Sequence, residues 1–128
     1  MKIIIDNAIP FLEGILEPYA ETRRLPGNAI TARDMHDADA LIVRTRTRCD
    51  AALLDGSQVR FIATATIGFD HIDLDYCRRR QIGVATAAGC NARGVLQWVG
   101  AVLHHLSQRG GWQPAEKTLG VVGAGHVG

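Results

Sequence analysis

The sequence predicts an α/β fold: a parallel sheet with helices on both faces, followed by the opening of a second α/β domain. Three observations predict it. Short apolar runs alternate with helix-like stretches through the first 90 residues, the rhythm of a parallel sheet built from strand–helix units. A long helical pattern then runs from Asn91 to about Arg109. Last, the run TLGVVGAGHVG, residues 118–128, sets Gly123, Gly125 and Gly128 at G-x-G-x-x-G spacing directly after an apolar stretch. That is how a dinucleotide-binding βα unit begins.

Each element has its own signal. Lys2 to Ile5 is a β-branched run ending at Asp6, a buried first strand. Phe11, Leu12, Ile15, Leu16 and Tyr19 recur at helical spacing, with Pro18 closing or bending that helix. Glu21 to Leu25 reads as a more exposed second strand, stopped at Pro26-Gly27. Thr31 suits the cap of a short helix, with Asp34 three residues on in a capping-box arrangement. Asp39 to Val43 and Val59 to Ala65 supply the third and fourth strands, with a short helix from Asp50 to Leu54, ended by Gly56, between them. Asp73 caps a helix through Arg80, and Gly83 to Ala87 is the fifth strand.

In the long helix, Val95, Val99, Val102, Leu103 and Leu106 share a face that Leu96 and Trp98 widen. Asn91 suits its N-cap and Gly110-Gly111 its stop. About 18 helical residues would span about 27 Å, enough to link two sub-structures. The expected organisation is a substrate-binding α/β domain over residues 1–90, a linking helix and connection over 91–117, and the first strand and glycine loop of a nucleotide-binding domain over 118–128.

Composition excludes several classes. A net charge of +1 gives no global attraction to nucleic acid or to an anionic membrane. No apolar run approaches the roughly 18 residues of a membrane span, and the N-terminus lacks a signal-peptide core. Cys49, Cys77 and Cys90 are odd in number and widely spaced, so neither a disulfide framework nor a metal site is indicated. A reduced, cytoplasmic, soluble protein is expected.

Two strand ends are unusually polar, and ligands of open α/β sheets bind beyond the carboxyl ends of strands. After the third strand comes Arg44-Thr45-Arg46-Thr47-Arg48. If extended, it presents three arginines on one side and two threonines on the other, a set suited to phosphate or carboxylate or simply to solvent. After the fourth strand come Thr64 and Thr66, either facing a ligand or fixing neighbouring loops. Asp70-His71 suits a loop-fixing role better than an acid–base pair. Cys90 has no base beside it in sequence, and His104-His105 diverge on their helix, so neither reads as catalytic. In the glycine loop, Gly123 permits the turn, Gly125 allows approach to a pyrophosphate, and Gly128 permits close helix packing; a ligand-free turn is the other reading.

Taken together, the stretches KIIIDNAIP, DADALIVRT, FIATATIGFDHID, AAGCNARGV and TLGVVGAGHVG resemble the D-2-hydroxyacid dehydrogenases over essentially the whole chain. The resemblance is strongest to members that oxidise the 2-hydroxyl of 4-phospho-D-erythronate with NAD in vitamin B6 biosynthesis. It implies a flavodoxin-like substrate domain followed by the start of a Rossmann domain, and a cytoplasmic homodimer when full length. It puts Thr45 and Thr66 on substrate-contacting positions. Gly123, Gly125, His126, Val127 and Gly128 fall on the cofactor loop. The family's catalytic Arg, Glu and His lie beyond that loop, so the resemblance implies an N-terminal part that is inactive alone. Three positions depart from the pattern: Thr45 replaces a usual Ser, Ala88-Gly89 a frequent Pro-Gly, and Gln97 an often acidic residue. Phosphoglycerate dehydrogenase, or a non-catalytic small-molecule-binding module, are the competing readings.

Overall fold

A computed structural model describes residues 1–123 and 125–128. Two units form, Met1–Ala87 and Ala88–Gly128. The first is built on five parallel strands: β1 (Lys2–Asp6), β2 (Glu21–Leu25), β3 (Ala40–Val43), β4 (Phe61–Thr64) and β5 (Gly83–Thr86). Their order across the sheet is β2-β1-β3-β4-β5, the flavodoxin-like order in which the chain reverses direction between β1 and β3.

Register explains the apolar runs. Ile4, Leu41, Ile62 and Val84 are successive partners across β1, β3, β4 and β5. The first three are fully buried, and each contributes about 1.5–3 kcal/mol of hydrophobic stabilisation. They join Met35, Leu53, Leu54, Tyr76 and Cys77 from three short helices on that face: α1 (Ala32–Met35), α2 (Ala51–Leu54) and α3 (Leu74–Arg79). Because side chains alternate along a strand, Ile3, Ile5 and Ala40 face the other way and form a second cluster with Ile9, Leu12 and Leu16.

That second face corrects the expected helix between Phe11 and Tyr19, and with it the expectation of helices on both faces of this sheet. Residues 7–20 run in successive turns, not in a helix. Leu12 and Leu16 pack on the sheet, but Phe11 is 91% and Tyr19 80% exposed. Phe11 and Gly14 hold positive φ, 61° and 76°. Pro18 has no N–H for the Gly14 carbonyl, so helical bonding is interrupted where the sequence spacing suggested it.

The short helices are capped much as their sequences suggest. The Asp34 carboxylate accepts from Thr31 N (2.9 Å) and Thr31 Oγ1 (2.7 Å). Asp50 Oδ1 accepts from Ala52 N (3.0 Å), and Asp73 Oδ1 from Tyr76 N (2.8 Å). At the amino ends of the strands, Asp39 Oδ2 accepts from Lys2 N (2.8 Å). That bond chiefly, with the N-terminus and Arg60 adding, holds the Asp39 carboxyl below its ordinary value.

In the second unit, α4 (Ala92–Gly110) is the long helix. Asn91 stands at its N-cap without a side-chain hydrogen bond, while Gly111 closes it in the left-handed region (φ 63°) and donates its N–H to Ser107 O. Leu96, Trp98 and Leu106, which widen the apolar stripe, are exposed. The expected strand at Leu119–Val122 is not formed: these residues carry no ladder, and Leu119, Val121 and Val122 are exposed. A parallel strand is stable only between neighbours, and among the described residues none pairs with it. No helix is long and apolar enough to cross a membrane among the described residues.

Candidate functional site

In doubly wound sheets the ligand crevice opens beyond the carboxyl ends of the two strands that flank the reversal. Here those strands are β1 and β3. A cavity of about 430 Å³ opens at that point, bounded by Asp6 and Asn7 after β1, Asn28 after β2, and Arg44, Thr45 and Arg46 after β3. Its volume falls within the range of small-molecule sites. A larger concavity of about 640 Å³ lies beside α1 and includes Lys2, Arg23 and Asp37. Position argues against it: Lys2 opens β1, at the amino ends of the strands. Two of its cations are also already engaged, Lys2 with Asp37 at 2.7 Å and Arg23 with Asp34 at 3.0 Å.

Asp6 ends β1 with 1% of its surface exposed. Its Oδ1 accepts from Ala8 N (2.9 Å), which turns the chain sharply at the mouth of the cavity. Gly27 packs directly against this carboxylate: a Cβ added there would stand 2.5 Å from Asp6 Oδ2. Thr47, also buried, donates its hydroxyl to Gly27 O (2.8 Å). Asp6, Gly27 and Thr47 therefore interlock the ends of β1, β2 and β3.

Thr45 is exposed in the wall of the cavity. Thr66 does not line that cavity. Val43 and Thr64 are register partners, so Thr45 and Thr66 each stand two residues beyond paired positions on adjacent strands. The Thr66 hydroxyl is engaged internally, donating to Gly68 O (3.0 Å) and lying 2.7 Å from Thr64 Oγ1. His71 Nε2 completes the chain, 3.1 Å from Thr64 Oγ1. Since Thr66 spends its proton on a carbonyl, Thr64 donates to Thr66, and Nε2–H of His71 donates to Thr64. Burial lowers the His71 pKa from 6.5, against the charge of Asp70. Its ring thus fixes a loop.

The arginine run differs from the alternation expected of an extended segment. Residues 44–47 make a turn, closed by Thr47 N to Arg44 O (3.4 Å). Arg44 and Arg46 consequently share the cavity with Thr45, while Arg48 turns to Asp50 (2.8 Å). Arg44 Nη1 also donates to Ala8 O (3.2 Å). The loops after β3 and β4 are tied by Cys49, whose N–H donates to His71 O (2.8 Å) and whose carbonyl accepts from Asp73 N (2.9 Å). Sequence reasoning missed Asp6, Asn7 and Asn28; the available signal was an acid closing an apolar run at a strand's carboxyl end.

In the second unit, Gly123 adopts φ 97°, and a Cβ on Gly128 would collide with the Gly123 carbonyl. The first and third glycines thus meet in a tight turn that only glycine permits at both places. His126 lies near Gly89, where a Cβ would come 3.2 Å from its Nδ1. Gly125, His126 and Val127 are exposed. The expected approach of this loop to a pyrophosphate rests on its glycine spacing, and among the described residues Leu119–Val122 carry no ladder. Among the described residues no three His, Cys, Asp or Glu side chains gather as metal ligands.

The family model for the catalytic domain of D-isomer specific 2-hydroxyacid dehydrogenases matches residues 4–99. The erythronate-4-phosphate dehydrogenases of Azotobacter vinelandii and Bacteroides fragilis are 52% and 50% identical to the chain over its whole length, which covers 34% and 37% of those proteins. The chain spans about a third of the length of these curated relatives. NAD⁺-bound 3-phosphoglycerate dehydrogenase from Entamoeba histolytica is similar at 26% identity and a TM-score of 0.65, over 99% of this chain and 47% of that one. D-lactate dehydrogenase from Aquifex aeolicus, solved with NAD and lactic acid, shares the fold at 22% identity and a TM-score of 0.66, over 85% of this chain and 34% of that one. With the family match spanning β1 to the first turns of α4, the chain belongs to the D-isomer specific 2-hydroxyacid dehydrogenases.

Proposed function

We propose that this chain is the substrate-binding part of an NAD-dependent dehydrogenase that oxidises the 2-hydroxyl of 4-phospho-D-erythronate, giving 2-oxo-3-hydroxy-4-phosphobutanoate, in pyridoxal 5′-phosphate biosynthesis. The observation that carries this reading is identity of about half, over the entire chain, to erythronate-4-phosphate dehydrogenases. The cavity at the β1/β3 reversal supports it, because two guanidinium groups and a hydroxyl suit a phosphorylated hydroxy acid.

In this reading residues 1–90 bind substrate, 91–117 link, and 118–128 begin the nucleotide-binding domain. Thr45 contacts the substrate by its hydroxyl, and Thr66, the other expected substrate-binding residue, positions the loop after β4 beside it. Arg44 and Arg46 attract the anionic groups. Gly123, Gly125, His126, Val127 and Gly128 offer backbone N–H groups to the pyrophosphate of NAD. Hydride acceptance from C2 is the chemistry that NAD supplies when bound. The proton of the 2-hydroxyl passes to a His–Glu pair outside these residues. The enzyme works in the cytoplasm as a homodimer.

The likeness to 3-phosphoglycerate dehydrogenase favours a second substrate, the three-carbon phosphohydroxy acid. NADH formation by the full-length protein with 4-phospho-D-erythronate, 3-phospho-D-glycerate and D-lactate separates the readings. Highest kcat/KM for 4-phospho-D-erythronate is expected. Preference for either other acid overturns the proposal. Residues 1–128 alone should give no turnover.

A further inference from the structure

We infer that Asp6 is a specificity-determining residue whose carboxylate accepts a hydrogen bond from the 3-hydroxyl of the substrate, selecting a polyol phosphate over a deoxygenated analogue. The inference rests on the phosphohydroxy-acid reading above.

The geometry carries it in three steps. First, only half of the Asp6 carboxylate is used by the protein. Oδ1 accepts from Ala8 N, whereas among the described residues Oδ2 accepts no hydrogen bond and Asp6 joins no ion pair. An asparagine would serve that turn equally well. A carboxylate with 1% exposure is a costly choice for the task unless a donor meets it. Second, the carboxylate is fixed in place. Gly27 abuts Oδ2 and is itself held by the Thr47 hydroxyl, so the acid cannot swing away to solvent. Third, Asp6 lines the cavity that also presents Arg44 and Arg46.

Two kinds of group are thereby specified. The guanidinium groups favour an anion, while the carboxylate repels one and accepts from a hydroxyl. A ligand satisfying both carries an anionic group close to a free hydroxyl. In 4-phospho-D-erythronate the 3-hydroxyl lies between the reacting carbon and the phosphate-bearing carbon. In 3-phospho-D-glycerate the only free hydroxyl is the one being oxidised. Sites built to bond a substrate hydroxyl reject analogues that lack it, because the buried partner is left unpaired.

The test uses the full-length protein with 4-phospho-D-erythronate and its 3-deoxy analogue, 2-hydroxy-4-phosphobutanoate. Wild type should favour the hydroxylated compound by about tenfold or more in kcat/KM. In Asp6→Asn, where Oδ1 still serves Ala8 N, that preference should fall to within about twofold, chiefly through loss on the hydroxylated compound. Equal use of both compounds by wild type overturns the inference without any variant. An Asp6→Asn enzyme that keeps the full preference, or loses both substrates equally, also overturns it; the latter marks a purely structural acid. If wild type turns over 4-phospho-D-erythronate but fails to discriminate, only the Asp6 assignment falls. Turnover of neither compound removes the parent reading as well.

Discussion

Thr64 and Thr66 share a hydrogen bond of 2.7 Å between their hydroxyls, and Thr66 spends its own proton on Gly68 O. The β4 carboxyl end is therefore a structured loop before any ligand arrives. Thr45, at the matching place beyond β3, is exposed and makes no such bond among the described residues.

That difference separates two residues assigned the same role. Thr66→Ala should lower the stability of the chain by about 1–2 kcal/mol, since it removes the hydrogen bonds to Gly68 O and from Thr64 and leaves the buried Thr64 hydroxyl proton without its acceptor. Thr45→Ala should leave stability within about 0.5 kcal/mol. Urea unfolding midpoints for the two variants check this. Equal loss in both would mean that the Thr64–Thr66 contact contributes nothing.

His71 gives a pH dependence with a definite sign. Burial lowers its pKa from 6.5 in the folded chain, with Asp70 opposing. The unfolded chain therefore binds the proton first as pH falls. Stability from this group is fully present above about 6.5 and declines as pH drops through 6.5 toward the lower folded value. Urea midpoints should fall between about pH 7.5 and 5.5, and His71→Asn should flatten that decline. An NMR titration placing the His71 midpoint above 6.5 would reverse the sign.

The three free cysteines should react in a set order. Cys90 is exposed, whereas Cys49 and Cys77 are buried. Burial pushes the Cys49 thiol up to about 12 and raises that of Cys77. The thiolate is the reacting form, so iodoacetamide on the native chain should label Cys90 alone, and all three after unfolding. Mass spectrometry of tryptic peptides reads the result, and early labelling of Cys49 would contradict the packing described.

The sequence by itself determined the three central strands, because a strand buried within a parallel sheet reads as an apolar run, whereas the edge strands β2 and β5 are partly to largely exposed. Lys2–Asp6, Ala40–Val43 and Phe61–Thr64 are all such runs. Local chemistry likewise determined the caps at Thr31, Asp50 and Asp73, whose side chains reach only a few residues along the chain. Spacing failed at Phe11–Tyr19, where the periodicity was real but Gly14 and Pro18 interrupted helical bonding, and two leucines sufficed to cover the sheet. At Leu119–Val122 the apolar run carries no ladder among the described residues, because strand pairing needs partners that local sequence does not supply. Only tertiary structure decided the site. The order β2-β1-β3-β4-β5 brings Asp6 beside Arg44 and Arg46, residues nearly forty positions apart. The turn at 44–47 puts two arginines and Thr45 on one cavity, and a hydroxyl chain from His71 draws Thr66 away from it. Strand order and loop closure are set by contacts distant in sequence, and no local pattern encodes them.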